Sequence, residues 1–190
     1  MSENLLVRQC SPTLAGLKTG NLFPCGYRDR AEMRDALRAW NRRLAGKGLR
    51  VVPLRYRNGR ALIYVYRPSK LCADLGQGAA RELLAERGYP CASPARCLGV
   101  LARKLRESAE FPHEIGLLLG YPPEDVRGFI DHNAGDCKCA GCWKVYGDET
   151  RAKSLFARYR KCTAVYCRRY AQGNTVEQLA VADGVHTKSI

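Results

Sequence analysis

Long apolar runs are missing from this 190-residue chain. The longest, residues 61–66, falls far short of the roughly 18 residues that a membrane-spanning helix needs. A membrane span is therefore excluded, and no membrane partner is expected. No basic segment followed by an apolar one opens the chain, so a secretion signal is not expected and the cytoplasm is the expected location. Histidine is scarce, with three residues, and acids are outnumbered: 18 Asp+Glu against 32 Lys+Arg leave a net charge of +14. Internal repeats and low-complexity segments are absent too. With 46% apolar residues the chain can bury a core, which excludes a disordered protein. The length suits one globular domain, expected over 1–181 with a flexible tail over 182–190.

Cysteine, by contrast, is plentiful, with ten residues. In a reducing compartment thiols are buried, metal-bound or catalytic more often than paired in disulfides. Five crowd together: Cys137, Cys139, Cys142, Cys162 and Cys167. The charge favours anionic partners, either a small anionic ligand or nucleic acid, although a basic solvated surface alone would give the same balance.

The patterning predicts a mostly helical α+β fold. A helix over 29–47 has Met33, Leu37, Trp40 and Leu44 on one face and arginines on the other. Two strand-like runs, 49–56 and 61–67, flank Asn58-Gly59, the pair that favours a tight hairpin. The hairpin is expected over about 49–67. Its register would pair Tyr56 with Ala61, Leu54 with Ile63 and Val52 with Val65. That puts Val52, Leu54, Tyr56, Ala61, Ile63 and Val65 on the packed face. A lone hairpin is marginal in water, so a third short strand is expected, from 143–146 or from 5–8. Ser11-Pro12 reads as the start of a short helix that Gly20 stops. Further helices are expected over 68–75, 78–87, 94–107, 112–119, 123–131 and 149–171.

Several residue groups could carry chemistry. Cys139-x2-Cys142 has the knuckle spacing of a zinc thiolate site. Cys162 and Cys167 are five apart on a helix, a rotation of about 140°, so both cannot readily reach one ion. A three-thiolate site of Cys139, Cys142 and Cys162 is the metal reading, with zinc or iron as its cofactor. The segment 111–130 has the packing shape of a DNA-reading helix pair. Its second helix carries Glu124, Asp125 and Asp131 against Arg127, however, and would repel phosphates. It reads as a structural pair. His113-Glu114 at its start could move protons or bind a ligand. Cys10 and Lys18 lie in a short stretch dense in reactive groups, where Lys18 would bind an anionic group and Cys10 would serve as a nucleophile.

The leading expectation is one site for a small ligand, metal or thiol chemistry. It is assembled from segments 10–21, 111–122 and 137–148, with Cys10, Lys18, His113 and Glu114 as its reactive groups. The alternative is a nucleic-acid- or acidic-protein-binding module without catalysis. It would use the outer hairpin face (Arg55, Arg57, Arg60, Tyr64, Tyr66) and the basic helix over 151–170 with Arg158 and Arg169. A structural protein without a site is the third reading.

Three phrases, Cys10-Ser-Pro-Thr-Leu-Ala-Gly-Leu-Lys-Thr-Gly-Asn-Leu-Phe23, Phe111-Pro-His-Glu-Ile-Gly-Leu-Leu-Leu-Gly-Tyr-Pro122 and Cys142-Trp-Lys-Val-Tyr-Gly-Asp148, occur in that order. Together they resemble the uncharacterised bacterial family "domain of unknown function 3793", over about residues 6–181. The resemblance implies a single-domain cytosolic protein and supplies no activity.

Overall fold

The structure, a computed structural model, describes residues 1–90, 93–108 and 110–184. Cys91 and the end of the expected tail, 185–190, lie outside the described residues. The fold is a mostly helical α+β arrangement built on a three-stranded antiparallel sheet with helices on both faces.

Helix α1 (Glu3–Leu14) is capped by the Ser2 hydroxyl, which accepts from Leu5 N–H, and buries Leu6, Val7, Cys10 and Leu14. The helix expected to begin at Ser11 instead runs through it. Pro12 lies inside the helix near its C-terminal end, where it removes the N–H that would bond the Arg8 carbonyl, and the Ser11 hydroxyl donates back to the Val7 carbonyl. After the turn the chain forms β1 (Gly20–Gly26), which pairs with β3 (Arg60–Tyr66), and β3 pairs with β2 (Arg50–Arg57). The third strand is therefore 20–26, not 143–146 or 5–8. Proline explains the order. Pro24 and Pro53 cannot donate to a ladder on both sides and lie in the two edge strands, while central β3 has no proline.

The β2–β3 turn is the expected one, with Asn58 at φ 49° and Gly59 at φ 69°. The register holds at Tyr56–Ala61 but shifts between Pro53 and Arg55, so that Val51, not Val52, meets Val65. The bulge leaves Leu54 unpaired and turns it to the opposite face from the one expected. Val51, Ala61, Ile63 and Val65 pack on α1 and on α2 (Arg30–Leu44). Leu54, Tyr64 and half-buried Val52, Leu62 and Tyr66 form the other face. That face is covered by α3 (Pro68–Leu75), α4 (Gly78–Glu86), α5 (Pro94–Glu107) and the α6–α7 pair (Ile115–Leu118 and Pro123–Asp131). The α6–α7 pair is a packing unit, as its acidity suggested: a Cβ on Gly116 would meet Val126 at 2.7 Å.

A small hairpin, β4 (Cys139–Ala140) with β5 (Lys144–Val145), precedes the long helix α8 (Glu149–Ala171), and α9 (Val176–Leu179) follows it. A third core joins Trp143, Val145, Phe156 and Tyr159, with Leu17 and Tyr121 at its edge.

Arg67, at the end of β3, is 1% exposed. All five N–H donors of its guanidinium are used. Nε donates to the Thr13 carbonyl, Nη2 to the Leu14 and Val181 carbonyls, and Nη1 to the Lys47 carbonyl and the Asp183 carboxylate. Asp183 also accepts from the Ser69 hydroxyl. The tail expected to start at 182 is thus anchored through Asp183. Replacing Arg67 by Met removes all five bonds and leaves the Lys47 and Val181 carbonyls and the Asp183 carboxylate without their cation, so urea denaturation should show a loss of about 3–5 kcal/mol. Arg127→Met, which removes only the surface pair with Glu86, should leave the midpoint unchanged.

Candidate functional site

The last carbonyls of α1 dictate the next turn. The Pro12 carbonyl accepts from the N–H groups of both Leu17 and Lys18, at 2.8 and 3.1 Å, while Arg67 occupies the Thr13 and Leu14 carbonyls. The turn carries Lys18 inward beneath α8, where it is only 7% exposed. On α8, Tyr159, Arg160, Thr163 and Ala164 fall at three- and four-residue spacings and so share one face toward this turn. The third contribution is the 137–148 loop. A Cβ on Gly141 would lie 2.3 Å from the Phe156 ring, so only glycine lets this loop press onto α8 and bring Cys142 to the same place.

These pieces border an open cleft of about 520 Å³ lined by Gln9, Pro12, Lys18, Asn21, Tyr121, Cys142, Tyr159, Arg160, Thr163 and Ala164. Among the described residues no carboxylate lines it. Two tyrosines brace it. The Tyr121 hydroxyl donates to the Cys142 carbonyl at 3.3 Å and the Tyr159 hydroxyl to the Leu17 carbonyl at 3.5 Å. Burial, with the nearby Cys142 thiol, pushes both phenols up to about 12, so both stay protonated at neutral pH. Tyr121 stacks on Trp143 with centroids 4.7 Å apart. Trp143 is in turn fixed by buried Asp125, which accepts from Trp143 Nε1 and from the Tyr146 and Gly147 N–H groups. Asn21 accepts from the Thr13 hydroxyl at 2.7 Å, which leaves its amide NH₂ as a donor.

Lys18 is the unusual member. Its ammonium lies 5.1 Å from the centre of the Tyr121 ring. Among the described residues it makes no hydrogen bond and no ion pair. Burial pushes its amine down to about 8, against a smaller upward pull from the Cys142 and Cys10 thiols. Cys142 is exposed; burial of its sulfur raises its thiol more than Lys18 and Arg160 lower it.

The expected site residues divide accordingly. Lys18 and Cys142 meet, and the segments 10–21, 111–122 and 137–148 do converge, the middle one through Tyr121. Cys10 is fully buried, and burial pushes its thiol far above the ordinary range. It packs in the core and has no approach for an electrophile. His113 and Glu114 line a different cleft of about 830 Å³, with Arg87, Lys104 and Phe129. His113 is exposed, its ring 4.8 Å from that of Phe129. Glu114 is 4% exposed and accepts from the Tyr89 hydroxyl and Lys104 ammonium, each at 2.9 Å. Burial works to raise its carboxyl, but those two partners outweigh it and hold the group below its usual range. Both bonds fall on Oε1 and tie the carboxylate to the packing around it. The Tyr121–Trp143 pair separates the two regions, since Tyr121 also walls an apolar slot under His113.

The expected thiolate set does not assemble. Cys139 lies beside Glu149 and Lys153, Cys142 beside Lys18 and Arg160, and Cys162 beside Tyr166. Burial pushes the Cys162 thiol up to about 11. Among the described residues no group of three or more His, Cys, Asp or Glu side chains could hold a metal ion. The hairpin face is corrected as well. Tyr64 is 1% exposed, stacked on Tyr66 at 4.7 Å, with its hydroxyl donating to the Leu118 carbonyl. It offers no face to a base. Half-buried Arg55 donates to the Leu105 carbonyl at 3.4 Å, and only Arg57 and Arg60 at the hairpin tip are exposed. Arg158 and Arg169 are exposed on α8.

Sequence reasoning missed Tyr121, Tyr159, Arg160 and Thr163 as site residues. Both Tyr159 and Arg160 lie on the helix read as basic, and only their common approach to α1 marks them.

The model of a family described as protein of unknown function (DUF3793) matches residues 6–180, and the chain belongs to that family. No curated protein and no solved structure matches it. No helix among the described residues is long and apolar enough to cross a membrane.

A lysine whose folded value lies near 8 and whose unfolded value is ordinary costs stability where both states are charged. The cost is full below about pH 8 and fades as pH rises toward 10.5, because the folded state sheds its proton first. Lys18→Met, which keeps the stem, should therefore stabilise the free protein at pH 7, by up to about 3 kcal/mol. The advantage should vanish by pH 10.5 in paired denaturation series. Cys10, Cys142, Tyr121, Tyr159 and Arg160 face this position in both proteins, but the upward pull of the Cys142 and Cys10 thiols acts only on the Lys18 amine, so the comparison reads burial net of that pull.

Proposed function

We propose that this protein binds a small anionic ligand in the Lys18 cavity, with the Lys18 ammonium and the Arg160 guanidinium as its charge partners. The observation that carries the reading is a nine-tenths-buried lysine whose ammonium opens into the cleft and, among the described residues, has no hydrogen-bond or ion-pair partner and no carboxylate beside it in the lining. A buried charge is stable only when paired, and an anion entering here supplies the pair. Asn21 and Gln9 add amide donors on the same wall. Tyr121 supplies a flat aromatic side, held by the Trp143 ring stacked on it. The volume suits a metabolite-sized molecule. A thiol role for Cys142, exposed at the rim, and a zinc or iron role for the cysteines are weaker readings, because the thiols do not converge.

A second reading has its own observation. Arg158, Lys161, Arg168 and Arg169 are exposed on α8 with no acid between 151 and 170. Such a row can follow a nucleic-acid backbone, with Arg57 and Arg60 at a separate exposed tip.

One series of binding measurements tests both. Inorganic phosphate, sulfate, acetate and citrate are titrated against the native protein by thermal shift. At least one should raise the midpoint of the native protein, and the rise should be abolished in Lys18→Met and reduced in Arg160→Gln. An equal rise in Lys18→Met, or none with any anion, contradicts the cavity reading. A fluorescent single-stranded oligonucleotide, whose binding is lost in Arg158→Gln/Arg169→Gln but kept in Lys18→Met and falls steeply with salt, would favour the α8 reading instead.

A further inference from the structure

We propose that Lys18 is an imine-forming residue, condensing with the carbonyl group of a small aldehyde or ketone that also carries a carboxylate or phosphate. This rests on the anion-binding reading above and adds the chemistry of the ligand's second group. Three features of the cavity support it. The amine is confined by the turn after α1, is unpartnered, and faces the open volume. The other cation in the lining, Arg160, stands on a separate element and is free to hold the ligand's anionic end while the carbonyl reaches Lys18. Tyr121 presents its ring to the amine at 5.1 Å, a surface that accommodates a weakly hydrated cation, as the protonated imine would be. The depressed affinity of Lys18 for its proton supplies a useful fraction of neutral amine near pH 8, which is how buried lysines are activated for this chemistry.

The step is balanced without a redox partner. The lone pair on Nζ attacks the carbonyl carbon, and the π electrons pass to oxygen, which takes up a proton. The nitrogen, now an ammonium, gives up one proton as the alkoxide takes one up; the carbinolamine then loses its hydroxyl with a second proton as water, leaving the protonated imine, which returns that proton when the neutral imine forms. A C=N bond replaces C=O, and one water is released. Addition of water reverses the reaction and frees the amine. Arg160 and Asn21 orient the ligand. The two tyrosines, committed to the Cys142 and Leu17 carbonyls, fix the walls.

The test uses the full chain with glyoxylate and pyruvate as probes and added cyanoborohydride, which reduces any imine to a stable secondary amine read by peptide mass spectrometry. At pH 7.5 the Lys18 peptide should carry at least about tenfold more adduct than that of Lys153, an exposed lysine paired with Glu149, because the lower proton affinity of Lys18 leaves more of its amine neutral. Any anion that raised the thermal midpoint should suppress Lys18 labelling in proportion to its occupancy. Lys18→Arg keeps the cation, so it should retain anion stabilisation and lose the selective adduct. Labelling spread over exposed lysines, with Lys18 unmodified in a protein that anions do stabilise, overturns the imine proposal and leaves the anion site standing. Absence of both anion stabilisation and Lys18 labelling overturns both.

Discussion

The buried Arg67 guanidinium holds together the segments on which everything else is placed. It ends β3, takes up two C-terminal carbonyls of α1, reaches the turn after α2 through Lys47, and binds the tail through Val181 and Asp183. A planar fork with five donors suits this task, and a lysine could not meet all five acceptors. The turn at 15–18 folds back on the same helix end, with Gly16 N–H on the Thr13 carbonyl and Leu17 and Lys18 N–H on the Pro12 carbonyl, and this holds Lys18 inward.

Two buried cations therefore lie close along the chain of cause, and they differ in one respect. Arg67 has every donor answered by protein. Among the described residues no protein group hydrogen-bonds the Lys18 ammonium, which faces the Tyr121 ring and opens into the cleft. A fold that can satisfy one buried charge so completely has no structural reason to leave the next one unpaired. The open side of Lys18 is a cavity, and the lining of that cavity contributes another cation instead of an acid. Stability is given up at Lys18 in the free protein, a pattern typical of sites whose ligand restores the balance.

Much of the fold was legible from local pattern. The helices over 68–75, 94–107 and 149–171 form where expected, and Asn58-Gly59 marks the turn. The errors had specific causes. Ser11-Pro12 carries a helix-start signature, yet it lies inside α1, because Leu6, Val7, Cys10 and Leu14 bury a continuous face and the Ser11 hydroxyl turns back to Val7. Residues 20–26 alternate poorly around Pro24, which an edge strand tolerates. The bulge at Pro53 leaves no mark in the alternation until the partner strand is known, and it moved Leu54 to the other face.

The site was half legible. The three segments named from their residue types do converge, and Lys18 and Cys142 meet. His113-Glu114 and the thiolate trio do not join them, because Glu114 is claimed by Lys104 and Tyr89 and each cysteine points to a different neighbourhood. Those are tertiary outcomes that spacing does not encode. The same holds for Arg160, which looked like any member of a basic helix. The most direct test is an NMR titration of the Lys18 ε-methylene, using protein labelled with carbon-13 at lysine. The account predicts a midpoint near 8 in the free protein, moving upward when a bound anion pairs with the ammonium. A midpoint near the ordinary lysine value of about 10.4, unmoved by every anion tried, would contradict it.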